Sequence, residues 1–197
     1  MSNAEVFRPW SGFVMAGVVF FMSALFVYQV TLNGNLHNVL ANIAWVSAGS
    51  SLAYMIFIRP KVTFFDEGIM ITNPFIEETV GWQNVREIES RYCLTIVVDE
   101  RKIYAWAAPA PGRHHARNVH RTELKGLKLE GGESIRVGES PRAHSGIASH
   151  LAKLRIENFQ ANGSIRGCES KFAFNTVGVV VLALSVGIGL LLNAIHF

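Results

Sequence analysis

The sequence predicts an α+β membrane protein. It comprises an N-terminal hairpin of two spanning helices, a small antiparallel β barrel or sandwich with a C-terminal helix, and a third spanning helix at the end. Three observations predict this. Residues 13–32, 37–58 and 173–195 contain no Asp, Glu, Lys or Arg. Of the 18 Lys+Arg and 15 Asp+Glu in the chain, 17 and 14 fall within residues 59–171. From Lys61 onward the apolar spacing changes to short β-branched and aromatic runs separated by turn residues.

The bulk figures average two unlike materials. A 50% hydrophobic content and a net charge of +3 describe neither the apolar runs nor the charged middle. Residues 59–171 read as an ordinary soluble-type sequence, long enough for a modest core. A pI of 9.0 is only a weak pointer to anionic partners. Cys93 and Cys168 have neither CxxC spacing nor a disulfide framework, and read as two reduced thiols.

The hairpin occupies residues 1–58. Its two runs are each about 20 residues, which at ~1.5 Å per residue match a hydrocarbon core of ~30 Å. Only Asn33, Gly34, Asn35 and Leu36 separate them, a link that turns the second helix back on the first. The first run is longer than a signal-peptide core and is followed almost at once by another span, so it reads as a retained anchor. The third helix closes the chain within residues 172–197.

Basic residues set the expected orientation. Arg8 precedes the first span, Arg59 and Lys61 follow the second, and Arg166 and Lys171 precede the third, while the hairpin link is uncharged. The N-terminus and residues 59–171 are therefore expected in the cytoplasm, with the hairpin tip and C-terminus outside.

Within the second span Ala41, Ala44, Ala48 and Ser51 share one helical face. Gly178 and Gly187, with Ala183, Ser185 and Gly189, give the third span a looser version. Rows of small residues let membrane helices approach closely, so these are candidate docking faces for a sibling helix or a partner's helix. The spans carry no ionisable group at mid-membrane, which argues against a pump, a transporter or a haem-carrying bundle.

Strands are expected over residues 62–65, 69–72, 75–80, 85–90, 94–98 and 103–107, forming the β core of residues 59–113. Turns are expected at Asp66-Glu67-Gly68, at Gly81-Trp82-Gln83-Asn84 and at Asp99-Glu100-Arg101. Trp82, Tyr92 and Trp106 are expected to pack in the core or at its rim. In residues 114–171, Arg117, Arg121 and Lys125 continue a stripe of cations begun at Arg113 and repeating every fourth residue. It is either a solvated helix face or a surface for anionic lipid or an acidic partner. His114, His115 and His120 lie between the cations, but no second cluster of Cys, Asp or Glu supports a metal site. Residues 126–145 read as a long loop, and 145–160 as a helix packed on the β core.

Taken in order, Arg59-Pro60-x-Val62, Phe65-Asp66-Glu67-Gly68, Asn73-Pro74, Trp82-x-x-Val85 and the run from Ala105-Trp106 to Gly112-Arg113 resemble one known family. It is the membrane-anchored bacterial PH-like domains of actinobacteria, often labelled low-molecular-weight-antigen PH domains. The likeness covers roughly residues 13–113. It implies a PH-like β barrel that binds lipid, peptide or protein and has no catalytic residues. The layout is also similar to the small helper subunits of actinobacterial respiratory supercomplexes of the cytochrome bc and cytochrome oxidase type. The acidic first hairpin, Asp66-Glu67-Gly68, disfavours phosphoinositide capture, which needs Lys and Arg there.

The sequence carries little recognisable catalytic chemistry. There is no phosphate-binding loop, nucleophile elbow or HExxH motif. Glu77-Glu78 and Glu87/Glu89 are carboxylate pairs on strands, placed to alternate faces or face solvent. No aromatics interleave the basic stripe as nucleic-acid binding would want. The expectation is a non-enzymatic subunit without a cofactor, partnered by other integral membrane subunits and anionic lipids. The alternative is a free-standing adaptor binding anionic lipid or a peptide.

Overall fold

The computed structural model describes residues 2–110, 143–163 and 166–195. It is a mixed α+β chain with two antiparallel sheets and three long apolar helices. Two compact units divide it. One holds residues 10–60, 74–76 and 173–197; the other holds residues 1–9, 61–73 and 77–172.

In the helical unit, α1 (Trp10–Asn33), α2 (Leu36–Ala53) and α4 (Thr176–Ile195) are the apolar helices. Each is long and apolar enough to cross a membrane, α2 when counted through Ile58. Only Ala16 of α1 and Gly189 of α4 are buried within the chain, so these helices present apolar surface almost all round. That pattern suits hydrocarbon and would be costly in water. Asn35 caps α2 by accepting from the Asn38 amide at 2.9 Å. The last turn of the second span, Tyr54–Ile58, widens to a π turn closed by the Arg59 amide on the Tyr54 carbonyl at 2.9 Å.

The β unit is built on eight strands: β1 (Glu5–Phe7), β2 (Lys61–Phe64), β3 (Gly68–Thr72), β4 (Ile76–Gly81), β5 (Val85–Glu89), β6 (Cys93–Val98), β7 (Arg101–Pro109) and β8 (Lys171–Phe174). The first sheet runs β1-β2-β3-β4-β8 and the second β5-β6-β7. Among the described residues no closed barrel forms. The antiparallel sheets of the expectation are present, but the chain leaves the first at the 3₁₀ turn Trp82–Asn84 and starts a separate one at Val85.

One core lies between the sheets. Val62, Phe64, Ile69, Ile71 and Val80 from the first meet Leu94, Ile96, Ile103, Ala105 and Ala107 from the second. Helix α3 (His144–Ala161) packs on it through Ala148 and Ala152. Trp82 is also in this core, 2% exposed, with its indole N–H donating to the Phe65 carbonyl at 2.9 Å.

Two strands were not expected. In β1, Phe7 pairs opposite Val62, so three residues ahead of the first span complete a sheet begun after the second. In β8, Lys171–Phe174 takes up what reads as the start of the third apolar run, and α4 begins only at Thr176.

Candidate docking surfaces

The small residues of the helical unit do two different things. On α2, Ala41, Ala44 and Ala48 are buried, Ser51 is half-buried, and the helix packs against both α1 and α4. This face is covered by the chain's own helices. Gly189 belongs to the same packing, since a Cβ there would stand 3.0 Å from the Trp45 ring. At the other end of α2, a Cβ on Gly12 would overlap the carbonyl oxygen of Phe57 in the π turn. Only glycine lets α1 come this close.

Gly178 has a local task. Asn175 caps α4, its side-chain oxygen accepting from the Gly178 amide at 3.2 Å. Its amide group donates to the Pro74 carbonyl at 3.1 Å, and its backbone N–H to the Phe75 carbonyl at 2.8 Å. A side chain at 178 would collide with the folded-back Asn175 amide. Gly187 differs from both: a Cβ built there meets nothing within 4 Å, and the same holds for Gly17 of α1 and Gly49 of α2. Two residues from Gly189 on a 100° wheel, Gly187 is half-buried but has open space where a Cβ would stand.

The acidic hairpin tip is occupied by its own chain. Asp66 accepts from Arg155 of α3 at 2.5 Å and from the Asn3 amide at 2.7 Å, and Arg155 also reaches Glu5 at 3.2 Å. Glu67 takes the Ser2 amide on both oxygens at 3.0 Å. Partial desolvation works to raise the Glu67 pKa, but hydrogen bonds from Ser2 and from its own backbone, with the nearby N-terminal charge, together hold the carboxyl below its usual range.

Sheet two shows a different kind of surface. Along β7, Ile103, Ala105 and Ala107 point into the core while Tyr104 and Trp106 point out. Tyr92 is exposed as well, with the Arg91 guanidinium 5.0 Å above its ring. Of the three aromatics expected to pack, only Trp82 does so. The reason is period: β7 alternates from Lys102 to Ala107, and Trp106 falls on the outward beat.

Three of the four carboxylates in the two pairs, Glu77, Glu78 and Glu89, are held by side chains of the β unit. Glu77 accepts from the Thr72 hydroxyl at 2.9 Å, while buried Glu78 stands 2.8 Å from Arg101 as an ion pair without hydrogen-bond geometry. Glu89 binds Lys102 at 2.6 Å, a bond that raises the Lys102 pKa. Burial raises that of the Cys168 thiol. Among the described residues no group of three or more His, Cys, Asp or Glu is placed to hold a metal ion. The basic stripe Arg113, Arg117, Arg121 and Lys125, the histidines between them and most of the long loop lie outside the described residues. Comparison with protein-family models, with curated proteins and with solved structures gives no match.

Proposed function

We propose that this chain is a non-catalytic accessory or assembly subunit of a larger membrane complex. The observation that carries it is a glycine in each of the three spans, at positions 17, 49 and 187, with open space where a Cβ would stand. Glycine inside a helix costs about 0.5–1 kcal/mol relative to alanine, and none of the three offsets that cost within this chain. Between membrane helices the gain comes from close backbone approach, which a neighbouring subunit's helix supplies. The β unit is then the part that covers a partner outside the bilayer.

The finer assignment rests on resemblance and charge. The shared core between two sheets, with α3 against it, supports reading the β unit as a PH-like domain of the actinobacterial membrane-anchored type. The matching layout makes the cytochrome bc–cytochrome oxidase supercomplex the partner of choice. The basic flanks of the spans support a plasma-membrane location with residues 59–171 in the cytoplasm and the C-terminus outside. Extraction in mild detergent followed by mass identification tests this: co-purifying membrane subunits, lost in Gly187→Leu, are expected. A lone 21.8 kDa chain overturns it.

A second reading, a free-standing adaptor for anionic lipid or a peptide, is favoured by the outward aromatics of β7. Native mass spectrometry separates the two. The adaptor retains anionic lipid or peptide without other subunits, and loses lipid when Arg117 and Arg121 are both changed to Glu.

A further inference from the structure

Asn-Gly is the dipeptide in which a backbone nitrogen most readily attacks the side chain before it, because glycine brings no side chain to hinder the approach. It occurs twice in this chain, at Asn33-Gly34 and at Asn162-Gly163. All four residues are exposed, so access to solvent does not separate the two pairs. Hydrogen bonding does.

Asn33 is the last residue of α1, and its side-chain amide donates to the Gln29 carbonyl at 3.3 Å. The Gly34 N–H, which would be the nucleophile, donates to the Val30 carbonyl at 2.8 Å. Both reacting groups are thus bound back onto the helix they end. Asn162 lies one residue past α3, with φ −99° and ψ 77°, outside the helical region. Its own backbone N–H still donates to the Asn158 carbonyl at 3.0 Å. Among the described residues, neither its side chain nor the Gly163 N–H has a hydrogen-bond partner. A Cβ built on Gly163 meets nothing within 4 Å, so the chain leaves room for a ring to close.

We propose that Asn162 is a modification site, losing its side-chain amide to become isoaspartate or aspartate, while Asn33 keeps its own. The Gly163 nitrogen gives up its proton and bonds to Cγ of Asn162. The Cγ–Nδ2 bond breaks, and ammonia leaves with that proton. Water then opens the cyclic imide at either carbonyl. One opening gives aspartate; the other gives isoaspartate, with the backbone routed through the side chain. Both products add a carboxylate at the end of α3, where the last carbonyls already gather negative charge. Phe159, in that last turn, packs against the β core, so the new charge arises beside a turn that holds the helix down.

The test is peptide mapping of the full chain, kept folded in mild detergent at mildly alkaline pH, with mass spectrometry that separates asparagine, aspartate and isoaspartate. A second sample is held in strong denaturant at the same pH. In the folded chain residue 162 should convert severalfold faster than residue 33, with isoaspartate the larger product and a rate that rises with pH. In denaturant the two rates should converge, since both pairs are the same dipeptide. Gly163→Ala should slow conversion at 162 severalfold and leave that at 33 unchanged. Equal rates at 33 and 162 in the folded chain, or a faster rate at 33, overturn the inference. A difference that persists in denaturant also overturns it, because the cause would then be the neighbouring residues and not the fold. Loss of the amide at 162 without isoaspartate overturns it too.

Discussion

Trp82 and Trp106 stand in one small unit and behave oppositely, because of what surrounds the indole N–H. That of Trp82 reaches the Phe65 carbonyl inside the core, so the ring can be buried whole. Trp82→Phe keeps most of the apolar bulk and removes the donor. It should cost about 1–3 kcal/mol by leaving that carbonyl unpaired, read as a fall in the denaturation midpoint. Glu67 gives a pH prediction. Its folded pKa lies below its ordinary value of 4.5, so its contribution is full above that value and lost as pH falls through the folded one. Acid unfolding of Glu67→Gln should therefore depend less on pH below about 4.5 than that of the parent chain. The effect is small because the group is still partly open to solvent.

At the scale of elements, the helix ends decide most. Asn175→Ala removes the cap of α4 and its bond to Pro74, and should cost about 1 kcal/mol. The amides of Val177, Gly178 and Val179 should then exchange faster with solvent deuterium. Gly12 and Gly17 make a matched pair within α1. Gly12→Ala pushes a methyl group into the Phe57 carbonyl, so thermal stability in detergent should fall. Gly17→Ala enters open space and should leave the isolated chain unchanged or slightly stabilised.

The elements also show what the amino acids disclose. Uncharged runs bounded by Arg and Asn disclose the spans, and acidic or Gly-bearing turns disclose the β2–β3 and β6–β7 hairpins. Such signals are local. The strand β1 is hidden because three residues, Glu5–Phe7, carry no period, and its partner is encoded more than fifty residues later. The strand β8 is hidden because Phe172 and Phe174 are as apolar as the span they precede. The small-residue rows identify close packing, but which side of α4 is covered depends on where α2 lies. Hence Gly178 serves a cap, Gly189 meets Trp45, and Gly187 has open space beside it. Two sheets in place of a closed barrel likewise depend on how strands pair beyond their turns.

For the whole molecule, the proposed assembly role rests on three apolar helices, each with a glycine open to the space around it. Position 187 tests this most directly. With a photoreactive phenylalanine analogue there, irradiation of intact membranes should join the chain to a different polypeptide. The same group in place of Trp45 of α2 should crosslink within the chain, towards Gly189 of α4. Adducts at 187 with lipid alone, in membranes where 45 reports the α2–α4 contact, would contradict a subunit built for assembly.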